Sequence, residues 1–276
     1  MKVFRHFRKF PYFFWEQRGR ILNWLPLIFQ SWGLLILHYS RLSRSDDKTL
    51  VYRMSDHFSF CMRLDSTGVI SIFDNYKSII KEYDWKGKVI IDVGAHVGGF
   101  AVPAAVLGAR VFAFEPDPMN SKCLAKSRSL NKLEASLTVY PCAVADSSRE
   151  VTFFLGGYST VGHMVEEDFF KARRNKQGKN ITVKAVGIND LLTTCQVPRC
   201  DLLKVDCEGS EYQIIEAATT DTLSRIGAIV LEGHPSQNPK HQFSFIKDKL
   251  VAHGFIMTYH HALDNGCYDA YFVHKS

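Results

Sequence analysis

Apolar residues along this chain gather in short runs separated by segments of helical spacing. The runs at 88–93, 110–114, 137–141, 201–206, 226–232, about 254–258 and about 269–273 predict strands, and the segments near 98–107, 118–131, 210–218 and 239–252 predict helices. Most of the runs are continuous in Val, Ile, Leu and Phe, the pattern of strands covered on both faces of a parallel sheet. Strand alternating with helix argues for a mostly parallel sheet wrapped by helices on both sides. The last two runs meet at Asn265-Gly266, a turn pair that favours an antiparallel hairpin.

Three stretches fall outside that alternation. Glu150 to Leu155 and Ile181 to Val186 each alternate apolar and polar positions and predict a second hairpin. The long polar connection between them predicts a flap over about 150–186 that selects the substrate. Val51 to Leu64 suggests a further hairpin, Tyr76 to Tyr83 a helix, and Arg41 to Lys48 a polar linker. The division expected is an extension over 1–45, basic and aromatic and then amphipathic, and one large domain over 46–276. Within the extension, Ile21 to His38 is apolar but broken at helical spacing by Asn23, Pro26, Gln30 and Gly33. Such a helix suits packing on the body, self-association through residues 1–40, or peripheral contact at a membrane surface. The interruptions argue against a spanning segment, and the expected location is cytoplasmic.

Composition narrows the classes. At 46% hydrophobic and 22% charged residues the 276-residue chain is that of a folded globular protein. Of the formal charge of +6, residues 1–20 carry +5, from six basic side chains against Glu16. The body is therefore near neutral, with no basic stripe to predict a nucleic-acid partner. The seven cysteines are scattered and form no C-x-x-C, which argues for buried thiols in a reducing compartment and against a disulfide framework or zinc site.

Candidate chemistry begins at Val89 to Phe100, VIIDVGAHVGGF. A buried strand ends in Asp92, and the turn through Gly94, Ala95, His96 and Gly98 leaves bare backbone where a ligand can lie near a helix N-terminus. The acid precedes the glycines, so the spacing is not that of a dinucleotide pyrophosphate loop. The next strand ends in Glu115-Pro116-Asp117-Pro118, an acid placed to accept the two hydroxyls of a ribose. A nucleoside site without a phosphate clamp fits S-adenosylmethionine. Asp206 and Glu232 stand at the ends of later strands, on the same sheet edge, and Glu208 follows Asp206 in the turn. His234, read as a neutral imidazole, is a candidate acceptor for a hydroxyl proton, and His163 is a second. Ser210 and Glu211 read equally well as the start of a helix. Clustered acids alone do not make a metal site, and no metal is predicted.

DVGAHVGGF, FEPDP, LLKVDCEGSE (Leu202 to Glu211) and VLEGHP (Val230 to Pro235) together resemble the successive motifs of the FkbM-type S-adenosylmethionine-dependent methyltransferases, over roughly residues 70–275. The resemblance implies a Rossmann-like class I methyltransferase fold, α/β, with a mostly parallel seven-stranded sheet and a C-terminal antiparallel hairpin. It implies O-methylation of a hydroxyl on a sugar, glycan or other small molecule, and it sets Ala143 beside the adenine. Cofactor-binding candidates are then Asp92, Gly94, Ala95, His96, Gly98, Glu115, Pro116 and Ala143, and catalytic candidates are Asp206, Glu208 and His234. An N-methyltransferase of the same fold, a non-catalytic cofactor-binding scaffold docked by its N-terminus, and a dinucleotide oxidoreductase are the competing readings.

Overall fold

The computed structural model describes residues 42–44, 49–55, 58–63, 83–156, 163–164, 178–236, 238–264 and 266–275. The chain divides into two compact units, residues 1–43 and 44–276. The expectations for residues 1–40, the helix at 76–83 (apart from Tyr83) and most of the flap lie outside the described residues.

In chain order the strands are β1 (Leu42–Arg44), β2 (Thr49–Ser55), β3 (Phe58–Arg63), β4 (Val89–Val93), β5 (Arg110–Phe114), β6 (Leu137–Tyr140), β7 (Ala143–Ala145), β8 (Arg149–Leu155), β9 (His163–Met164), β10 (Lys179–Gly187), β11 (Leu202–Val205), β12 (Ala228–Gly233), β13 (Phe255–Ala262) and β14 (Tyr268–His274). The helices are α1 (Ala101–Val106), α2 (Pro118–Leu130), α3 (Leu191–Thr194), α4 (Glu211–Ala217), α5 (Thr220–Ser224) and α6 (Phe243–Ala252).

Seven strands form the main sheet in the order β13-β14-β12-β11-β4-β5-β6, parallel except where β14 runs antiparallel between β12 and β13. This is the expected fold class, C-terminal hairpin included. Successive side chains of β4 go to opposite faces. Ile91 and Val93 join Phe112, Phe114, Leu203 and Val205 under α4 and α6, whose Ile214, Ile215, Ile246 and Leu250 complete that layer. Ile90 joins Val111, Leu202 and Val230 on the other face, under the alanines of α1 and Leu124 of α2. Each fully buried Val or Ile adds about 1.5–3 kcal/mol, so β4, buried almost throughout, is fixed in register.

The chain leaves β4 toward β5 and β6 on one side, while β11 and β12 lie on the other. Ligands of open α/β sheets bind where strand order reverses, beyond the carboxyl ends of the strands. Here that point lies between the tips of β4 and β11, where Asp92 pairs in register with Lys204 and Val93 with Val205.

The hairpin expected at 150–155 and 181–186 is present as β8 and β10, antiparallel with Val151 opposite Val183. It belongs to a second sheet, β7-β10-β8-β9, which includes a parallel pairing of β10 with β7 that the sequence pattern did not predict. The β2–β3 hairpin lies along α2: Cys61 N donates to Ser127 Oγ at 2.9 Å, and Arg63 pairs with Asp117 at 2.9 Å. Among the described residues no helix is long and apolar enough to cross a membrane.

Candidate active site

Gly94 leaves β4 at φ +74°, and a Cβ added there would stand 1.8 Å from the carbonyl oxygen of Asp206. Only glycine lets the β4 turn lie this close to the exit of β11. The N–H groups of Gly94 and Ala95 donate to Phe114 O at 3.1 and 3.0 Å, locking the turn to the neighbouring strand. His96 follows at φ +54°, a conformation that costs a non-glycine residue energy and is seen most at functional sites. Burial pushes its imidazole down to about 4, so the ring is neutral. His96 Nε2 is buried and has no hydrogen-bond partner among the described residues.

The backbone N–H of His96 donates to Glu115 Oε2 at 2.8 Å, tying the glycine turn to the tip of β5. Glu115 Oε1 accepts from Asp117 N at 2.8 Å and from Asn120 Nδ2 at 3.3 Å. A carboxylate has about four acceptor positions, so the spare capacity of Glu115 is mainly on Oε2. Burial lifts this carboxyl to about 7, against the backbone donors that favour its charge. Asp117 in turn caps α2, accepting from Met119 N at 2.7 Å and Asn120 N at 3.3 Å.

Lys204 is the charged centre between the two strand tips. Its Nζ donates to Gly94 O at 3.0 Å and lies 3.1 Å from Asp92 Oδ1 and 3.3 Å from Asp206 Oδ2. Burial works against the ammonium, but Asp206 and Asp92 outweigh it and hold its pKa above the ordinary lysine value.

After β11 the chain turns through Cys207, Glu208 and Gly209, with Glu208 at φ +57° and Gly209 at φ +112°. Glu211, fully buried, closes this turn by accepting from Cys207 N at 2.9 Å and from Gly209 N at 3.0 Å. It also meets His234 Nδ1 at 3.0 Å. On the other side of that imidazole, Nε2 lies 3.6 Å from Glu208 Oε2 and 3.7 Å from Glu232 Oε1. Burial disfavours the His234 charge, yet Glu211 and then Glu208 raise its pKa well above the ordinary value. The direction runs against the expectation of a neutral imidazole at His234.

These pieces surround one cavity at the carboxyl edge of the sheet. Gly94, Ala95 and His96 line it from β4, Glu115, Pro116, Asp117 and Asn120 from β5 and α2, and Ala143 and Val144 from β7. Phe153 and Met164 line it from the second sheet, and Lys204, Asp206, Cys207, Glu208 and Ser210 from β11 and its turn. Of the sequence candidates, Gly94, Ala95, His96, Glu115, Pro116, Ala143, Asp206 and Glu208 are together on this wall. Asp92 lies behind it under Lys204, Gly98 faces Leu124 and Val102, and His234 stands behind Glu208. The side chain of His163 lies outside the described residues. Lys204 and Asn120 had no role in the sequence pattern, and Glu211 only that of a helix start. For Lys204 the available signal was a lysine inside an otherwise apolar strand, since a buried lysine needs a partner.

The family description "Methyltransferase FkbM domain" matches residues 92–257. The chain belongs to the FkbM methyltransferase family. S-adenosylmethionine, the methyl donor of that family, is its cofactor. Among FkbM-type relatives, the chain is 28% identical to the hexuronic acid methyltransferase AglP of Haloferax volcanii, over 55% of this chain and 58% of that protein. It is 27% identical to the 31-O-demethyl-FK506 methyltransferase FkbM of Streptomyces tacrolimicus, over 54% of this chain and 66% of that protein. The chain thus spans less than two thirds of either relative. The crystal structure of the FkbM methyltransferase from Methylobacillus flagellatus aligns with a TM-score of 0.49 and 17% identity, over 75% of this chain and 48% of that one.

The cavity wall fits the cofactor chemically. Spare acceptor capacity on Glu115 suits a ribose, the orphaned His96 Nε2 suits a polar ligand atom, and Asp206 suits a cation.

Proposed function

We propose that this FkbM-family chain transfers the methyl group of S-adenosylmethionine to a hydroxyl oxygen of a sugar, glycan or other small molecule. The observation that carries this reading is the division of one cavity wall. Glu115 and His96 come to it from the tip of β5 and the β4 turn, and Asp206 and Glu208 from the exit of β11. An oxygen acceptor is supported by the relatives whose names specify a hexuronic acid and 31-O-demethyl-FK506.

When bound, the cofactor supplies an electrophilic methyl on a positively charged sulfur, open to in-line displacement. Glu115 accepts a ribose hydroxyl at the remaining position of Oε2, with the N–H of His96 keeping its carboxylate turned inward. The backbone of Gly94 and Ala95, with Asp206 opposite, receives the cationic amino-acid end. Lys204 fixes the rotamer of Asp206 and neutralises Asp92 beneath it. Ala143, Val144 and Phe153 provide the apolar end for the adenine. Glu208 is the group that accepts the hydroxyl proton, and its turn is held by Glu211 rather than by a flexible loop. Orientation and water exclusion supply most of the acceleration in such a displacement. In this reading residues 46–276 carry the transfer, and residues 1–45 form an appended segment suited to a membrane surface or a second copy of the chain.

The test offers the purified protein labelled S-adenosylmethionine with uronic acids, neutral hexosides and macrocyclic polyols, and follows S-adenosylhomocysteine and methylated product. Glu208→Gln is expected to lower turnover by about 10²–10⁴-fold at unchanged cofactor affinity. Product methylated only on nitrogen would replace the hydroxyl reading, and cofactor consumption unaffected by Glu208→Gln would remove its role.

A further inference from the structure

We propose that Glu232, His234 and Cys267 form a site for one divalent transition-metal ion of the zinc class, behind the acid-lined wall of the cavity. One ligand atom from each of the three lies within 4.8 Å of the others. The fold creates this meeting. Glu232 and His234 are two apart on extended chain, and the antiparallel ladder pairs Gly233 with Tyr268 and Glu232 with Asp269. Continued by one residue, that register sets His234 opposite Cys267.

The imidazole is already oriented as a ligand. His234 is 6% exposed, and its Nδ1 is occupied by Glu211 Oε1 at 3.0 Å. Metal-binding histidines commonly have their second nitrogen held by a carboxylate in this way. The remaining nitrogen, Nε2, looks at Glu208 Oε2 across 3.6 Å and Glu232 Oε1 across 3.7 Å, both beyond hydrogen-bond length. Two ligands each about 2.0–2.2 Å from a common ion, at near-tetrahedral angles, stand about 3.3–3.6 Å apart. The gap therefore suits a shared ion better than a shared proton.

The donor set selects the kind of ion. Magnesium and calcium take oxygen ligands. One imidazole, one thiolate and one carboxylate are the mixed set of a borderline cation, with a fourth position left open. Charge agrees, because Glu208, Glu211 and Glu232 all face the single imidazole. A dication that displaces one proton from the imidazole and one from the Cys267 thiol leaves the net charge of this cluster unchanged.

The experiment uses the full-length protein, stripped with a chelator, dialysed, reloaded with zinc chloride alone and assayed for metal by mass spectrometry. About one zinc per chain is expected, unaffected by excess magnesium and lost in Cys267→Ser and His234→Gln. Glu211→Gln is expected to bind zinc about 10–100-fold more weakly. Cobalt substitution gives a second reading that does not depend on His234→Gln folding: a thiolate-to-cobalt absorption band present in the native chain and absent in Cys267→Ser. Failure to retain zinc, or the same stoichiometry in native and Cys267→Ser protein, overturns the site. Metal counting is independent of methyl transfer, so its outcome is separate from that of the proposed activity.

Discussion

Lys204 Nζ lies 3.1 Å from Asp92 Oδ1, and the two side chains are 3% and 0% exposed. This buried pair joins neighbouring strands at the reversal point of the sheet, and its lysine also reaches Asp206 on the cavity wall. Asp92 therefore meets Lys204, which lines the cavity, rather than lining it itself.

Lys204→Met removes the cation and leaves Asp92 buried without it. Breaking one partner of such a pair costs about 3–5 kcal/mol, whereas neutralising both is often nearly free. Urea denaturation should show that loss for Lys204→Met and recovery of most of it in Asp92→Asn/Lys204→Met. Equal stability of the single variant and the native chain would show that the pair does not hold the strand tips.

Glu115→Gln puts an amide where two backbone N–H groups, those of His96 and Asp117, already point at the carboxylate. A donor then faces a donor, and a cost of about 1–3 kcal/mol follows, or roughly 5–150-fold in cofactor affinity by calorimetry. The pH dependence has a definite sign. Burial raises the native pKa of Glu115 to about 7 from the ordinary 4.5. Its contribution to folding is full below about 4.5 and is lost as pH rises through about 7. The native chain should thus lose stability relative to Glu115→Gln across that window, while its cofactor affinity rises as the carboxylate ionises. Parallel stability profiles for the two proteins would remove Glu115 as the titrating group.

Glu208 holds φ +57° on the cavity wall, where side chains are strained and glycine is not. Glu208→Gly and Glu208→Ala both delete the carboxylate and should both abolish turnover. Glycine should nevertheless be the more stable of the two by about 1 kcal/mol, the reverse of the usual order. Calorimetric melting that ranks alanine above glycine would mean the turn relaxes out of that conformation.

The main sheet was legible because its strands are buried on both faces, and continuous Val, Ile and Leu runs such as β4 and β12 have few other uses. Two helix starts were read early for a local reason. Gly98 has φ +96°, so α1 begins at Ala101 rather than 98, and the Asn238–Gln242 turn delays α6 to Phe243. β7 escaped notice because Ala143-Val144-Ala145 has neither length nor period. At the site, Gly94 and Glu115 were readable from the order of turn, strand and acid. The partners of Lys204 and His234 were not, since they depend on register between strands far apart in sequence. The opposition of Lys204 to Asp92, and the reach of Glu211 to His234, exist only once β11 lies beside β4 and β12.

Two glycines of the β4 turn should respond differently to alanine. At Gly94 the new Cβ meets backbone, Asp206 O at 1.8 Å, at a φ of +74°. Neither the carbonyl nor the strand behind it can move without separating β4 from β11. Gly94→Ala should lose cofactor binding outright and destabilise the domain. At Gly98 the nearest atoms are Leu124 Cδ1 at 2.5 Å and Val102 Cγ2 at 2.7 Å, side-chain ends that can shift, although φ +96° still disfavours alanine. Gly98→Ala should cost about 1–2 kcal/mol from the backbone conformation and retain measurable cofactor affinity. Calorimetry on the two variants decides between them. Equal cofactor affinity in both would mean that the close approach of Gly94 to Asp206 does not shape the cavity.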